Sequence, residues 1–247
     1  MKKLPFGVQT FSKLINEGYL YVDKTKEIHK LLVEGGEYFF LSRPRRFGKS
    51  LLVSTLKEIF SGNKKLFKGL WIYDNWEWEK FPVIHIDFLG LKYGNGQELS
   101  ETLEFLVNQN AAAYGIKLQE DGYDKRFKEL IAKLFKENKV VILVDEYDKP
   151  IIDNIENREA AGENRTILRT FYETVKGADQ FLKFVFITGV SKFSKVSIFS
   201  GLNNLNDITL DDNFATLLGY TGEDFSHYFQ EEVHAMARSW RISSDEL

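Results

Sequence analysis

The chain has 247 residues, of which 33 are basic and 36 acidic, for a formal net charge of −3. That length buries one large core, or a core with a small appendage, and the mild acidity excludes a chain built throughout to coat nucleic acid. Cysteine is absent, which excludes disulfides and thiolate metal sites and suits a reducing, cytoplasmic compartment; no apolar run approaches the ~20 residues of a membrane span, and the N-terminus lacks the apolar stretch of a signal peptide.

Residues 7–18 read as a short helix closed by Gly18, followed by an extended piece at Tyr19–Val22. Asp23 looks like the N-cap of a helix over residues 24–34, whose Ile28, Leu31 and Leu32 share one face. Gly35 and Gly36 end it.

Tyr38–Leu41 then reads as a short buried strand, Ser42–Phe47 as a cationic turn, and Gly48-Lys49-Ser50 as the opening of a helix carrying Leu51, Leu52, Leu56, Ile59 and Phe60 on one side. That is the plan of a phosphate-binding loop: backbone N–H groups and a helix N-terminus face an anion, and a lysine reaches its outer oxygens. A hydroxyl in the place of Ser50 can take a magnesium ion. The match to G-x-x-x-x-G-K-[ST] is incomplete, because Arg43 stands at the first glycine. Pro44 restricts Arg43 to an extended geometry, which predicts a different entry into the loop. Arg45 and Arg46 lie inside the turn, and guanidinium pairs bidentately with phosphate.

Residues 64–80 are irregular and rich in Trp; Val83–Phe88 reads as a second strand; residues 90–96 form a glycine-rich loop. Helices follow over residues 98–114 and 125–137. The apolar run Val140–Val144 reads as a central parallel strand covered on both faces. It ends in Asp145-Glu146. Two carboxylates at a buried strand tip are costly unless they meet a cation or water, and beside a phosphate loop such acids hold magnesium and polarise the attacking water. Asp148 either supports them from behind or is a surface turn acid.

The polar stretch 156–164 is the expected loop or insertion, before a helix over residues 165–176 on which Arg165 and Arg169 are expected on the outside. Residues 184–188 form another buried strand ending in Thr188, which either senses a terminal phosphate or simply ends a strand. Residues 189–212 are polar and non-periodic, with Ser191, Lys192 and Lys195 on the same expected edge. Thr221 and Asp224 resemble a capping box for one last helix reaching about residue 239. His29, His85, His227 and His234 show no metal spacing. Strands alternating with helices predict a mostly parallel α/β sheet, with ligand at the carboxyl ends of the strands.

The chain resembles the bacterial AAA-ATPase-like proteins whose N-terminal ATPase module is commonly joined to a C-terminal PD-(D/E)XK nuclease-like domain. The resemblance is carried by FGVQTF (residues 6–11), YVDKT (21–25), LSRPRRFGKSLL (41–52), ILVDEYDKP (142–150), TGVSKFSKVSIFSGLNNLNDITLD (188–211) and LGYTGEDF (218–225). An arginine at position 43 is normal in that family. The resemblance implies a P-loop NTPase fold of the ASCE type, with helices on both faces of the sheet. Residues 1–36 would lead into a core at 37–212, with a helical extension from 213. It implies ATP and magnesium as ligands, with YVDKT near the adenine. The expected nucleotide contacts are Arg43, Pro44, Arg45, Arg46, Phe47, Gly48, Lys49, Ser50 and Leu51. Ser50 and Asp145 are the expected metal ligands, and Glu146, Lys49 and Thr188 the expected catalytic groups. The nuclease-like domain is not within these residues. The expected activity is ATP hydrolysis serving as a switch or motor for an attached domain or partner, with assembly into an oligomer left open. A nucleotide-binding interaction module, a P-loop phosphotransferase, and nucleic-acid binding through Arg43, Arg45, Arg46, Lys192 and Lys195 are the rival readings.

Overall fold

A computed structural model describes residues 2–34, 36–192, 198–199, 202 and 204–240; Gly35, Lys195 and the tail from residue 241 lie outside the described residues. The chain opens with α1 (Phe11–Asn16) and α2 (Thr25–Glu34), then β1 (Tyr38–Ser42), α3 (Lys49–Phe60), β2 (Val83–Asp87), α4 (Gly96–Ala113) and α5 (Tyr123–Phe135). It continues through β3 (Val140–Asp145), α6 (Lys149–Ile152), α7 (Arg158–Gly177), β4 (Leu182–Gly189), β5 (Asn206–Asp207), α8 (Gly222–Tyr228) and α9 (Gln230–Trp240).

The strands form one sheet in the order β2-β3-β4-β1-β5, and every pairing is parallel. Alternation along each strand divides the core in two. Val140, Ile142 and Val144 face α4, α5 and α7, while Val141 and Leu143 face α1, α2 and α3. Helices therefore cover both faces, as a P-loop NTPase-like fold requires. The two-residue rhythm also sets where the strand tips point. Asp145 follows Val141 and Leu143, Asp87 follows Val83, and Thr188 follows Phe184 and Phe186, so all three belong to the face covered by α3.

Two expectations are corrected. Residues 158–164 are not a loop: α7 begins at Arg158, capped by the Asn157 side chain, which accepts from the Ala160 N–H at 3.2 Å. Ala160, Ala161 and Asn164 face inward; the polar residues that suggested a loop are the solvent side of a helix. The last helix is two: α8 stops at Phe229, whose φ of −117° and ψ of 16° leave the helical region before α9. The capping box is present as expected, with Thr221 and Asp224 bonded reciprocally. The segment 189–212 contributes the short edge strand β5, which no periodicity announced. Phe214 and Leu217 insert into the same α3-side core as Phe11, Ile28 and Leu31.

Candidate functional site

The phosphate-type loop leaves β1 at Ser42 and closes on α3. Its entry is held by the neighbouring strands: the Ser42 N–H donates to Thr209 Oγ1 at 3.1 Å, and the Arg43 N–H to the Gly189 carbonyl at 3.2 Å. The Arg43 guanidinium donates to the carbonyls of Thr209 and Ser42. Arg43, one of the expected ligand contacts, has its side chain and its N–H engaged with protein carbonyls. That bolt stands where the usual motif has glycine. Beyond it, Arg46 (φ 66°) and Gly48 (φ 87°) both take the left-handed conformation, the kind of backbone that gathers N–H groups toward one point. The first turn of α3 then offers N–H groups that have no carbonyl a turn behind them. Arg45, Arg46 and Phe47 are exposed, while Leu51 packs its side chain against the core. Phe47 lies against Gly219, where a β-carbon would stand 3.1 Å from its ring, and Leu218 approaches Gly48.

Lys49 is buried, and its ammonium donates to the carbonyls of Arg43 and Pro44 at 3.0 Å each. Burial lowers its pKa, opposed by the charges of Asp145, Glu146 and Asp148. The next residue brings the loop to the acids: Ser50 lies beside the Asp145 carboxylate, close enough to oppose the rise in its pKa. The N-terminus of α3 and the tip of β3 thus meet, although β4 lies between β1 and β3 in the sheet.

Asp145 is 2 % exposed. Burial pushes its carboxyl up to about 6; the neighbouring Ser50 hydroxyl opposes this, and the nearby charges of Asp87 and Glu146 add to it. Glu146 is half-buried and also raised, chiefly by burial, with Lys149 and Lys49 opposing and Asp87 and Asp148 adding. Asp148 is fully buried and raised by burial, with the N–H groups of Ser191 and Val190 opposing. A narrow cleft among these groups is lined by Arg45, Glu146, Asp148, Lys149, Asp153 and Val190. A broader groove of about 620 Å³ between residues 95–97 and 163–167 shares none of these residues.

Thr188 stands on the strand beside the acidic one, as expected, and its buried hydroxyl donates to the Leu41 carbonyl at 2.7 Å. Its proton therefore serves the β1–β4 junction. Asp87 is the acid that reading the letters missed. It pairs in register with Asp145 at the same edge of the sheet, and the strand-tip rule that found Asp145 applies equally to the last residue of Val83–Asp87. Arg165 and Arg169 are carried on α7, with Arg165 exposed to solvent. Among the described residues, no three His, Cys, Asp or Glu side chains converge to cage a metal ion.

A family model described as predicted AAA-ATPase matches residues 5–199. The chain belongs to this predicted AAA-ATPase family. The match runs from the segment before α1, through the phosphate-type loop and the acidic strand, to the residues beyond β4. The chain is also similar to an uncharacterized protein in the vnfD 5′ region of Azotobacter chroococcum mcd 1, 47 % identical over 242 residues. That alignment covers 96 % of the chain and 46 % of the relative, so the chain spans about half the relative's length. No described helix of this AAA-ATPase-like chain is long and apolar enough to cross a membrane.

Proposed function

We propose that this AAA-ATPase-like chain binds ATP between the N-terminus of α3 and the acidic strand tips and hydrolyses it with magnesium. The observation that carries this reading is the meeting of the α3 N-terminus with the acids, where buried Lys49 feels the charges of Asp145, Glu146 and Asp148 and Ser50 lies beside Asp145. Backbone N–H groups over Gly48–Leu51 and the α3 N-terminus cradle the phosphates. Lys49 exchanges its bonds to the Arg43 and Pro44 carbonyls for phosphate oxygens, and Arg45 or Arg46 adds a second cation from the rim.

Ser50 and Asp145 are the residues that would hold magnesium. The fit is chemical: a hydroxyl and a buried carboxylate meet amid the negative charges of Asp87 and Glu146. Bound there, magnesium supplies charge neutralisation at the phosphates. Glu146 orients the attacking water and accepts its proton, a role suited to a carboxylate whose hold on a proton is raised by burial. Thr188 acts indirectly, tying the tip of β4 to β1. On this reading hydrolysis serves as a switch or motor for a further domain, which the resemblance implies is nuclease-like.

In the test, calorimetric titration with ATP and magnesium is followed by phosphate release. Glu146→Gln keeps binding and loses roughly 100-fold or more in turnover, while Lys49→Ala loses binding. Equal phosphate release from the wild type and the glutamine variant removes Glu146 from its role. Tight binding by a wild type that releases no phosphate leaves only a nucleotide-binding interaction module.

A further inference from the structure

We propose that Asp148 and Tyr147 are positioning residues for Glu146: they lock the acidic turn onto the first residues beyond β4 and so hold Glu146 in its left-handed backbone. The inference rests on the hydrolytic reading above. Its starting point is strain. Glu146 has a φ of 52°. A side chain other than glycine in that region is strained and persists only where its surroundings over-determine it.

The surroundings do so on both sides. Upstream, Asp145 is fixed by its register with Asp87 and by Ser50, and its Oδ1 accepts from the Glu146 N–H at 3.0 Å. Downstream, the Tyr147 N–H donates to the Thr188 carbonyl at 3.1 Å and its hydroxyl to the Ser191 carbonyl at 2.9 Å. The Tyr147 ring is fully buried, edge-on to Phe40 at 5.4 Å. Asp148 then turns its carboxylate inward, where Oδ2 accepts the N–H groups of Val190 at 2.9 Å and Ser191 at 2.5 Å. The two partners fit only because residue 189 has no side chain. A β-carbon on Gly189 would stand 2.5 Å from Asp148 Oδ1 and 2.6 Å from the Tyr147 ring.

Both halves of the lock follow Glu146 directly, so the left-handed turn cannot relax without breaking them. The same strand end reaches the phosphate loop, because the Gly189 carbonyl accepts from the Arg43 N–H. One short stretch, Thr188–Ser191, therefore sets the carboxylate that faces water and the entry of the loop that faces phosphate in a common frame. A buried acid costs free energy unless it is hydrogen-bonded. Two backbone donors for Asp148 account for its burial, and the geometry of Glu146 accounts for its place.

The experiment uses Asp148→Asn, which leaves a single uncharged amide oxygen to accept the two N–H groups and puts an NH2 where Oδ1 stood, and Tyr147→Phe, which removes one hydrogen bond and leaves the ring packed. Phosphate release, nucleotide affinity and amide exchange of the nucleotide-free protein are measured for each, alone and with Glu146→Gln. Asp148→Asn is expected to lower kcat roughly 10- to 100-fold with ATP affinity within about two-fold of wild type. Tyr147→Phe lowers kcat about five-fold, the worth of one hydrogen bond. Both variants lose exchange protection at the amides of Glu146, Val190 and Ser191. Neither lowers kcat further in the Glu146→Gln background. Unchanged kcat in both variants, an affinity loss that matches the kcat loss, or a full additional loss on top of Glu146→Gln overturns the inference. If Asp148→Asn does not fold, the same three outcomes are read from Tyr147→Phe. A wild type without phosphate release removes the hydrolytic reading and this inference together; normal wild-type turnover with unaltered variants removes the inference alone.

Discussion

Asp145 carries the sharpest conflict between stability and chemistry in the molecule. It is a carboxylate in a nearly dry place, with Asp87 and Glu146 adding negative charge around it. Its folded value of about 6 exceeds the ordinary aspartate value of 3.8, so the folded chain holds this proton more tightly than the unfolded one. Between those values the native state binds more protons, and stability falls as pH rises from about 4 to about 6. Above the folded value the whole penalty is present, on the order of 3 kcal/mol for a shift of this size. Asp145→Asn removes the charge and keeps an oxygen for the Glu146 N–H. The variant is expected to be more stable than wild type by roughly 2 kcal/mol at pH 8, with the difference gone by pH 4. Thermal melts of the nucleotide-free protein at the two pH values check it, and a difference independent of pH refutes it. Loss of nucleotide turnover accompanies the gain, because the charge that destabilises the fold is the one that would hold a cation.

At the scale of elements, α7 shows why polarity misleads. Residues 156–164 carry Glu156, Arg158, Glu159, Glu163 and Asn164 and lack a long apolar period. Small residues hide the inward face, since Ala160 and Ala161 bury little area each yet allow α7 to seat closely. Asn164 is fully buried, and its amide donates to the carbonyls of Tyr93 and Pro150 at 2.8 and 2.9 Å. The cap at Asn157 fixes where the helix begins. Asn157→Ala is expected to cost about 1 kcal/mol of stability, measured by denaturant unfolding; no cost would mean that the first turn of α7 contributes nothing. The opposite case is α3. Its apolar side and its Gly-Lys-Ser opening are both legible in the letters, and the helix runs from Lys49 to Phe60 as read. The tip of β3 is equally legible. In an alternating α/β chain an unbroken apolar run is a strand covered on both faces, and the two acids after it mark the edge where the cover ends.

Across the whole molecule, one sheet and two helical layers collect segments far apart in sequence. Residues 213–217 belong to that body: Phe214 and Leu217 are buried beside Phe11 and Ile28, and Lys30 donates to Asn213 at 3.1 Å. Farther on, α8 is attached by the Lys24–Asp224 ion pair and by the Tyr228 hydroxyl, which accepts from the Asp23 N–H at 3.3 Å. With this burial, Leu217→Ala is expected to cost about 2–5 kcal/mol, and the protein still unfolds in one transition when denaturant is titrated. A separate early transition would instead make 213–240 an appendage.

Hydrophobic rhythm, strand-helix alternation, the Gly48-Lys49-Ser50 triplet and the Asp145-Glu146 pair were determined by the letters alone, because period and local chemistry are properties of neighbours in the chain. Parity along Val83–Asp87 also contained Asp87, once Asp145 was known to point at α3. What only the tertiary structure decided were contacts between distant segments: Arg43 bolted to Thr209, Thr188 spent on Leu41, and Asp148 gripping Val190 and Ser191. Each depends on which strand lies next to which, and a parallel sheet sets that order through crossovers that leave no mark at the residues they bring together.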